Sequence, residues 1–144
     1  MQGAGSGVAC RMPIRNLVRG LVAALFIVAG LNHFRDPTPY LAMMPPWVPW
    51  PEILNKVAGA AEVAGGIGLL LAPFRRAAAW GLLALLVAVF PANLQVALHG
   101  WPGVDIAPWI LWARLPLQLA FMAVVWWVGL ARAEDVAKAT RDHR

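Results

Sequence analysis

Polar and apolar positions divide the chain into four long stretches with few or no charges. Residues 77–104 and residues 115–131 contain no Asp, Glu, Lys or Arg. Residues 57–74 would be a third such run but for Glu62. Residues 20–34 are a fourth, which extends back to Ile14 if Arg15 and Arg19 snorkel to an interface. Crossing the hydrocarbon of a bilayer takes about 20 mainly apolar residues. Leu, Ala and Val dominate these runs, which are too long for strands. The pattern predicts transmembrane helices near 14–34, 53–72, 76–98 and 108–131. This is an all-α four-helix transmembrane bundle in a single domain, with a flexible tail over residues 1–13 and a short mixed-charge tail over 132–144. A cleaved signal peptide is the rival reading of residues 1–34, but no A-x-A cleavage pattern follows them.

Composition agrees. The chain is 60% hydrophobic and 13% charged, where soluble domains run near 45–50% and about 25%. Disorder is excluded, and an ordinary soluble enzyme is disfavoured. The net charge of +5 suggests nucleic acid until the basic residues are placed. Arg11, Arg15, Arg19, Arg75, Arg76, Arg132, Lys138, Arg141 and Arg144 fall on one side of the predicted bundle. Arg35 and Lys56 flank the other side, and Arg114 lies within the fourth helix. The positive-inside rule predicts a multi-pass protein of the cytoplasmic membrane with both termini cytoplasmic, and no nucleic-acid partner is needed. Trp47, Trp50, Trp101, Trp109 and Trp112 then sit near the outer interface, with Trp80, Trp126 and Trp127 near the inner one. Interfaces collect aromatic rings in this way. The single cysteine, Cys10, allows no internal disulfide or dithiol site. Met12 is an alternative start.

The first outer connection is unusual. Residues 35–52 hold Pro37, Pro39, Pro45, Pro46, Pro49 and Pro51, interleaved with Tyr40, Met43, Met44, Trp47 and Trp50. The segment is too apolar to float in water. It either anchors in the interface, the simpler reading, or folds back as a lid. The second predicted helix carries two stripes. Ala58, Ala61, Gly65, Gly68 and Ala72 share one face, whose small residues permit close helix approach. Asn55, Gly59, Glu62 and Gly66 form the adjacent one.

Ionisable groups inside a bilayer are costly and mark functional sites by default. Glu62 and Arg114 qualify. Indexed from the outer helix ends, they differ in depth by roughly 5 Å at 1.5 Å per residue, which predicts that they pair. Asn93, Gln95, His99, Gln118, Asn32 and His33 share that half of the bundle. Pro91 and Pro116 favour a splayed outer half. The expectation is a polar cavity opening toward the first outer loop. Glu62, Arg114, Asn93, Gln118, Gln95, His33 and His99 are its candidate ligand-binding residues, and Trp47, Trp50 and Met43 its cover. Gly59, Gly65, Gly66 and Gly68 are the candidate packing residues. The bland alternative is a buried Glu62–Arg114 bridge that sets helix register. No HxxxH or HxxE spacing supports a metal site.

The residue order also resembles a known family. His33-Phe34 closes the first helix and a Pro-rich segment follows. Then come residues 56–70, KVAGAAEVAGGIGLL, then Pro73 with Arg75-Arg76, and Val89-Phe90-Pro91-Ala92-Asn93. Over roughly residues 15–131 this is similar to the DoxX-like family of small four-helix membrane proteins. The resemblance implies a cytoplasmic-membrane bundle associated with redox systems, such as membrane subunits of thiosulfate:quinone oxidoreductase, with a eukaryotic branch of receptor-assembly chaperones. It singles out Glu62 and Asn93 as the pattern positions that matter. Relatives associated with thiol redox chemistry use cysteines, whereas this chain has one, outside the bundle.

Three functions are therefore open. The first is a non-catalytic membrane subunit of a redox system, binding a quinone or other amphipathic ligand in the outer cavity. The second is an assembly or chaperone-type partner whose Gly/Ala faces pack on another membrane protein. The third is a small permease, which would have to act as an oligomer because the inner half offers no polar path.

Overall fold

A computed structural model describes residues 14–131. The two expected tails lie outside the described residues, with Cys10, Arg11, Met12, Arg132, Lys138, Arg141 and Arg144. Among the described residues five helices follow one another: α1 (Ile14–Arg35), α2 (Thr38–Met43), α3 (Pro51–Leu70), α4 (Arg75–His99) and α5 (Pro108–Gly129). The four long ones are sufficiently long and apolar to cross a bilayer, which makes this a multi-pass membrane protein. Their bounds fall within two residues of those expected from the uncharged runs. The short helix α2 was not expected. Pro37 and Pro39 suggest a broken chain, but proline is tolerated in a helix's first turn, where its missing N–H costs nothing.

The long helices are antiparallel around a ring. α1 lies along α3, with His33 beside Asn55 and Gly59, and the Ala23 carbonyl beside Gly66. α3 lies along α4, with Gly65 against Leu82 and Gly68 against Ala78. α4 lies along α5, with Asn93 bonded to Gln118 and Gly129 against Ala79. α5 closes the ring on α1, where the Phe121 and Phe26 rings are 5.2 Å apart.

Both glycine stripes of α3 therefore pack helices, but against different neighbours. A Cβ on Gly59 would stand 2.6 Å from the His33 Cβ, and one on Gly30 would stand 2.6 Å from the Gly59 carbonyl oxygen. Only hydrogen at these positions lets the α1 and α3 backbones approach so closely. The face carrying Glu62 thus points at α1.

Outward, the bundle is greasy. Ile14, Leu17, Leu21, Leu25, Val28 and Leu31 recur every three or four residues along α1, and all are exposed. This stripe suits acyl chains rather than water. Inward, polarity is graded along the bundle axis. At the basic end, near Arg15, Arg19, Arg75 and Arg76, the core is apolar: Val22, Ala23, Phe26, Leu69, Ala79, Leu82, Val125 and Leu130. Arginines close the helix ends there. Arg75 Nε donates to the Leu69 carbonyl at 3.1 Å, and Arg19 Nε to the Val128 carbonyl at 3.1 Å. These satisfy carbonyls that have no partner within their own helices.

At the other end, the proline-rich segment folds back over the bundle. Met43 and Pro45 are buried, and Met43 packs with Val96 and Leu111. The segment thus folds back onto the bundle through Met43, while Trp47 and Trp50 stay exposed. The return into α3 passes through Trp50, which has φ 48° in the left-handed region. That conformation costs a non-glycine residue about 1–2 kcal/mol.

Candidate functional site

Between the apolar core and the folded-back segment lies a cavity of about 240 Å³. Its walls carry His33, Glu62, Asn93 and Arg114, and α2 covers it with Tyr40 and Met43. One wall belongs to α1 and α3, the other to α4 and α5.

On the first wall, Asn55 is fully buried and its amide is used at both ends. Its Nδ2 donates to the His33 main-chain carbonyl at 3.0 Å. Its Oδ1 therefore faces His33 Nδ1 at 2.6 Å and must accept, so Nδ1 carries a hydrogen. The other ring nitrogen, Nε2, is turned to Glu62, 3.7 Å from Oε2. Glu62 Oε2 is buried and has no hydrogen-bond partner. Tyr40 lies across the His33 ring, with centroids 3.7 Å apart and planes at 27°. Its hydroxyl accepts from Asn32 Nδ2 at 3.1 Å. A residue of the proline-rich segment thereby clamps the histidine from the loop side.

On the second wall, a chain of amides positions the guanidinium. Gln118 Nε2 donates to the Leu86 carbonyl at 2.6 Å. That carbonyl adjoins Val87, whose helical donor is removed by Pro91. Gln118 Oε1 accepts from Asn93 Nδ2 at 2.9 Å, and Asn93 Oδ1 accepts from Arg114 Nη2 at 3.2 Å. The same guanidinium is 4.8 Å from the Trp101 ring centroid, and Nη2 is 3.9 Å from Met43 Sδ. Trp101, expected only as an interfacial ring, is a cation–π partner.

The expected Glu62–Arg114 bridge does not form. Glu62 turns to His33, and among the described residues no carboxylate lies within ion-pair distance of Arg114. Both side chains line one cavity, but the face of α3 that bears Glu62 is turned to α1. The two ionisable side chains thus stand on the same cavity without touching.

Other expected site residues are elsewhere. His99 is exposed, with Nδ1 3.2 Å from the Gln95 main-chain carbonyl, and neither residue lines the cavity. Trp47 and Trp50 are 70% and 74% exposed and do not cover it, whereas Met43 does. Among the described residues no three His, Cys, Asp or Glu side chains converge as metal ligands. Sequence reasoning missed Asn55 as a site residue, and Tyr40 and Trp101 as partners of site residues. Asn55 did carry a signal, since it shares the Glu62 stripe.

The cavity has an apolar neighbour. Under the folded-back segment, between α3 and α4, runs a groove of about 380 Å³ with Trp47, Leu54, Val57 and Leu85 among its lining. Met44, Ala58, Val89 and Ala92 line both spaces, so the two adjoin. A polar chamber next to a greasy one matches a molecule with a compact polar head and an apolar tail.

No curated protein and no solved structure matches the chain. A family profile does match, over residues 22–129, which include all four long helices in whole or most part and both walls of the cavity. The chain belongs to that family, described as a domain of unknown function, DUF8561.

Proposed function

We propose that this protein is a membrane-embedded binding subunit for an amphipathic molecule, with the head in the polar cavity and the tail in the adjoining groove. One observation carries the reading: a buried carboxylate oxygen without a hydrogen-bond partner and a guanidinium without a carboxylate share one chamber. Buried polar groups are ordinarily satisfied, so the arrangement suits a ligand whose head brings an acceptor to the guanidinium. The positive-inside pattern supports cytoplasmic termini and, with them, a cavity in the outer half of the cytoplasmic membrane. The DoxX-like resemblance supports a non-catalytic partner of a redox system, in which setting a quinone is the natural amphiphile.

Purification of the full chain in native lipid nanodiscs, followed by mass spectrometry of extracted small molecules, tests the reading. A stoichiometric amphiphile retained by the native protein and lost from Arg114→Ala is expected. An identical extract from both proteins refutes it.

A second reading, an assembly partner, rests on a separate feature. An open groove on α3 and α4 is lined by Ala61, Ala64, Gly68, Ala77, Ala78 and Gly81, small residues that suit a neighbouring transmembrane helix. Loss of a membrane partner's abundance on Gly81→Leu, with ligand retention unchanged, would favour it.

A further inference from the structure

The charge of the cavity specifies the charge of its ligand. This step rests on the amphiphile-binding reading and goes on to name the head group. Asn55 fixes the hydrogen of His33 on Nδ1, because its own Nδ2 is committed to the His33 carbonyl. A neutral imidazole would then turn the lone pair of Nε2 toward Glu62 Oε2 at 3.7 Å. Two buried acceptors facing each other, with no donor between them, is a costly arrangement. A single proton on either atom removes it, as imidazolium with carboxylate or as imidazole with carboxylic acid. In both forms the pair is electrically neutral.

Arg114 is then the uncompensated charge of the chamber. Its guanidinium is held by the neutral groups of Asn93, Trp101 and Met43. The acidic side chains of that end, Asp36, Glu52 and Asp105, are all exposed. A half-buried cation with no carboxylate partner among the described residues is partly desolvated, and an incoming anion relieves that cost.

We propose that the native ligand is a single-chain amphiphile with a monoanionic head, of the fatty-carboxylate class. Its carboxylate accepts from Arg114, and its chain passes Met44 and Ala58 into the groove beside Leu54 and Val57. A carboxylate matches the two-donor fork of a guanidinium, which an alcohol or amide of the same chain does not.

The test uses the full chain in nanodiscs of zwitterionic lipid. Radiolabelled oleate is the probe, with unlabelled oleate, oleyl alcohol, oleamide and a long-tailed benzoquinone as competitors. Oleate is expected to compete at least about tenfold better than the alcohol or amide, the scale of a hydrogen bond to a charged group. Arg114→Gln is expected to abolish that preference, and Arg114→Lys, which keeps the charge, to retain most of it. Equal competition by oleate and oleyl alcohol, or tighter binding of the quinone, overturns the anionic head while leaving the amphiphile reading standing. Failure of every competitor and of the probe itself overturns both.

Discussion

Asn55 and His33 grip each other twice across the α1–α3 interface. One amide reads both the imidazole, at 2.6 Å, and the main-chain carbonyl of the same residue, at 3.0 Å. The carbonyl belongs to the last turn of α1, where helical carbonyls have no partner of their own. Asn55 therefore caps one helix, fixes a histidine tautomer and joins two helices at once. Asn55→Ala is expected to lower stability by about 2–4 kcal/mol, as two buried groups lose their partners. Asn55→Asp is expected to do no better, because its second oxygen would face the His33 carbonyl. Thermal unfolding of the detergent-solubilised protein checks both, and a loss under about 0.5 kcal/mol in either would contradict the double role.

The α1–α3 contact depends on absent side chains. A methyl group at Gly30 would meet the Gly59 carbonyl oxygen, which can move only with its helix. Gly30→Ala is expected to cost about 1–3 kcal/mol, the range of overpacking. Gly81 is the internal control, because a Cβ there meets nothing within 4 Å. Gly81→Ala is expected to be neutral or stabilising, since alanine is the better helix former. Comparable losses at both positions would show that the close approach is not what makes Gly30 necessary.

These two interactions differ in how legible they were. The four long helices were visible because a charge-free run of bilayer length has few other uses. The glycine stripes were visible because helical periodicity places them. Which stripe faced which helix was not, since periodicity within α3 fixes relative azimuth but not the neighbour. Depth alone therefore points Glu62 at Arg114, whereas His33 stands on the helix that the Glu62 stripe faces. The cover was misassigned for a similar reason. Trp47 and Trp50 are the larger rings, but the small helix begun at Pro37–Pro39 turns Tyr40 and Met43 inward instead.

The Tyr40 stack predicts a barrier between the cavity and the aqueous face. Tyr40→Ala is expected to open it, and Tyr40→Phe, which keeps the ring over His33, to leave it closed. Ala58 lines both the cavity and the groove and is buried, so Ala58→Cys in a Cys10→Ser background reports access. A charged, membrane-impermeant thiol reagent should label this cysteine at least several-fold faster with Tyr40→Ala than with the native tyrosine. Equal rates would mean that the proline-rich segment does not seal the site.

Arg114 depends on Gln118, although the two are not bonded to each other. Gln118 is anchored on the Leu86 carbonyl, and this sets which end of its amide meets Asn93. Asn93 in turn must donate to Gln118 and accept from Arg114, so each amide in the chain has one permitted orientation. Gln118→Leu removes the anchor without changing the charge of the chamber. Asn93 Nδ2 then loses its acceptor, and the amide is held less firmly with its oxygen toward the guanidinium. The effects of Gln118→Leu and Asn93→Ala should consequently be non-additive. Once Gln118 is gone, Asn93 should matter less to Arg114, with a coupling of about 0.5–3 kcal/mol in a double-mutant cycle on stability. Simple additivity would mean that Asn93 holds Arg114 without help from Gln118, and that the three residues act as two separate contacts rather than one relay.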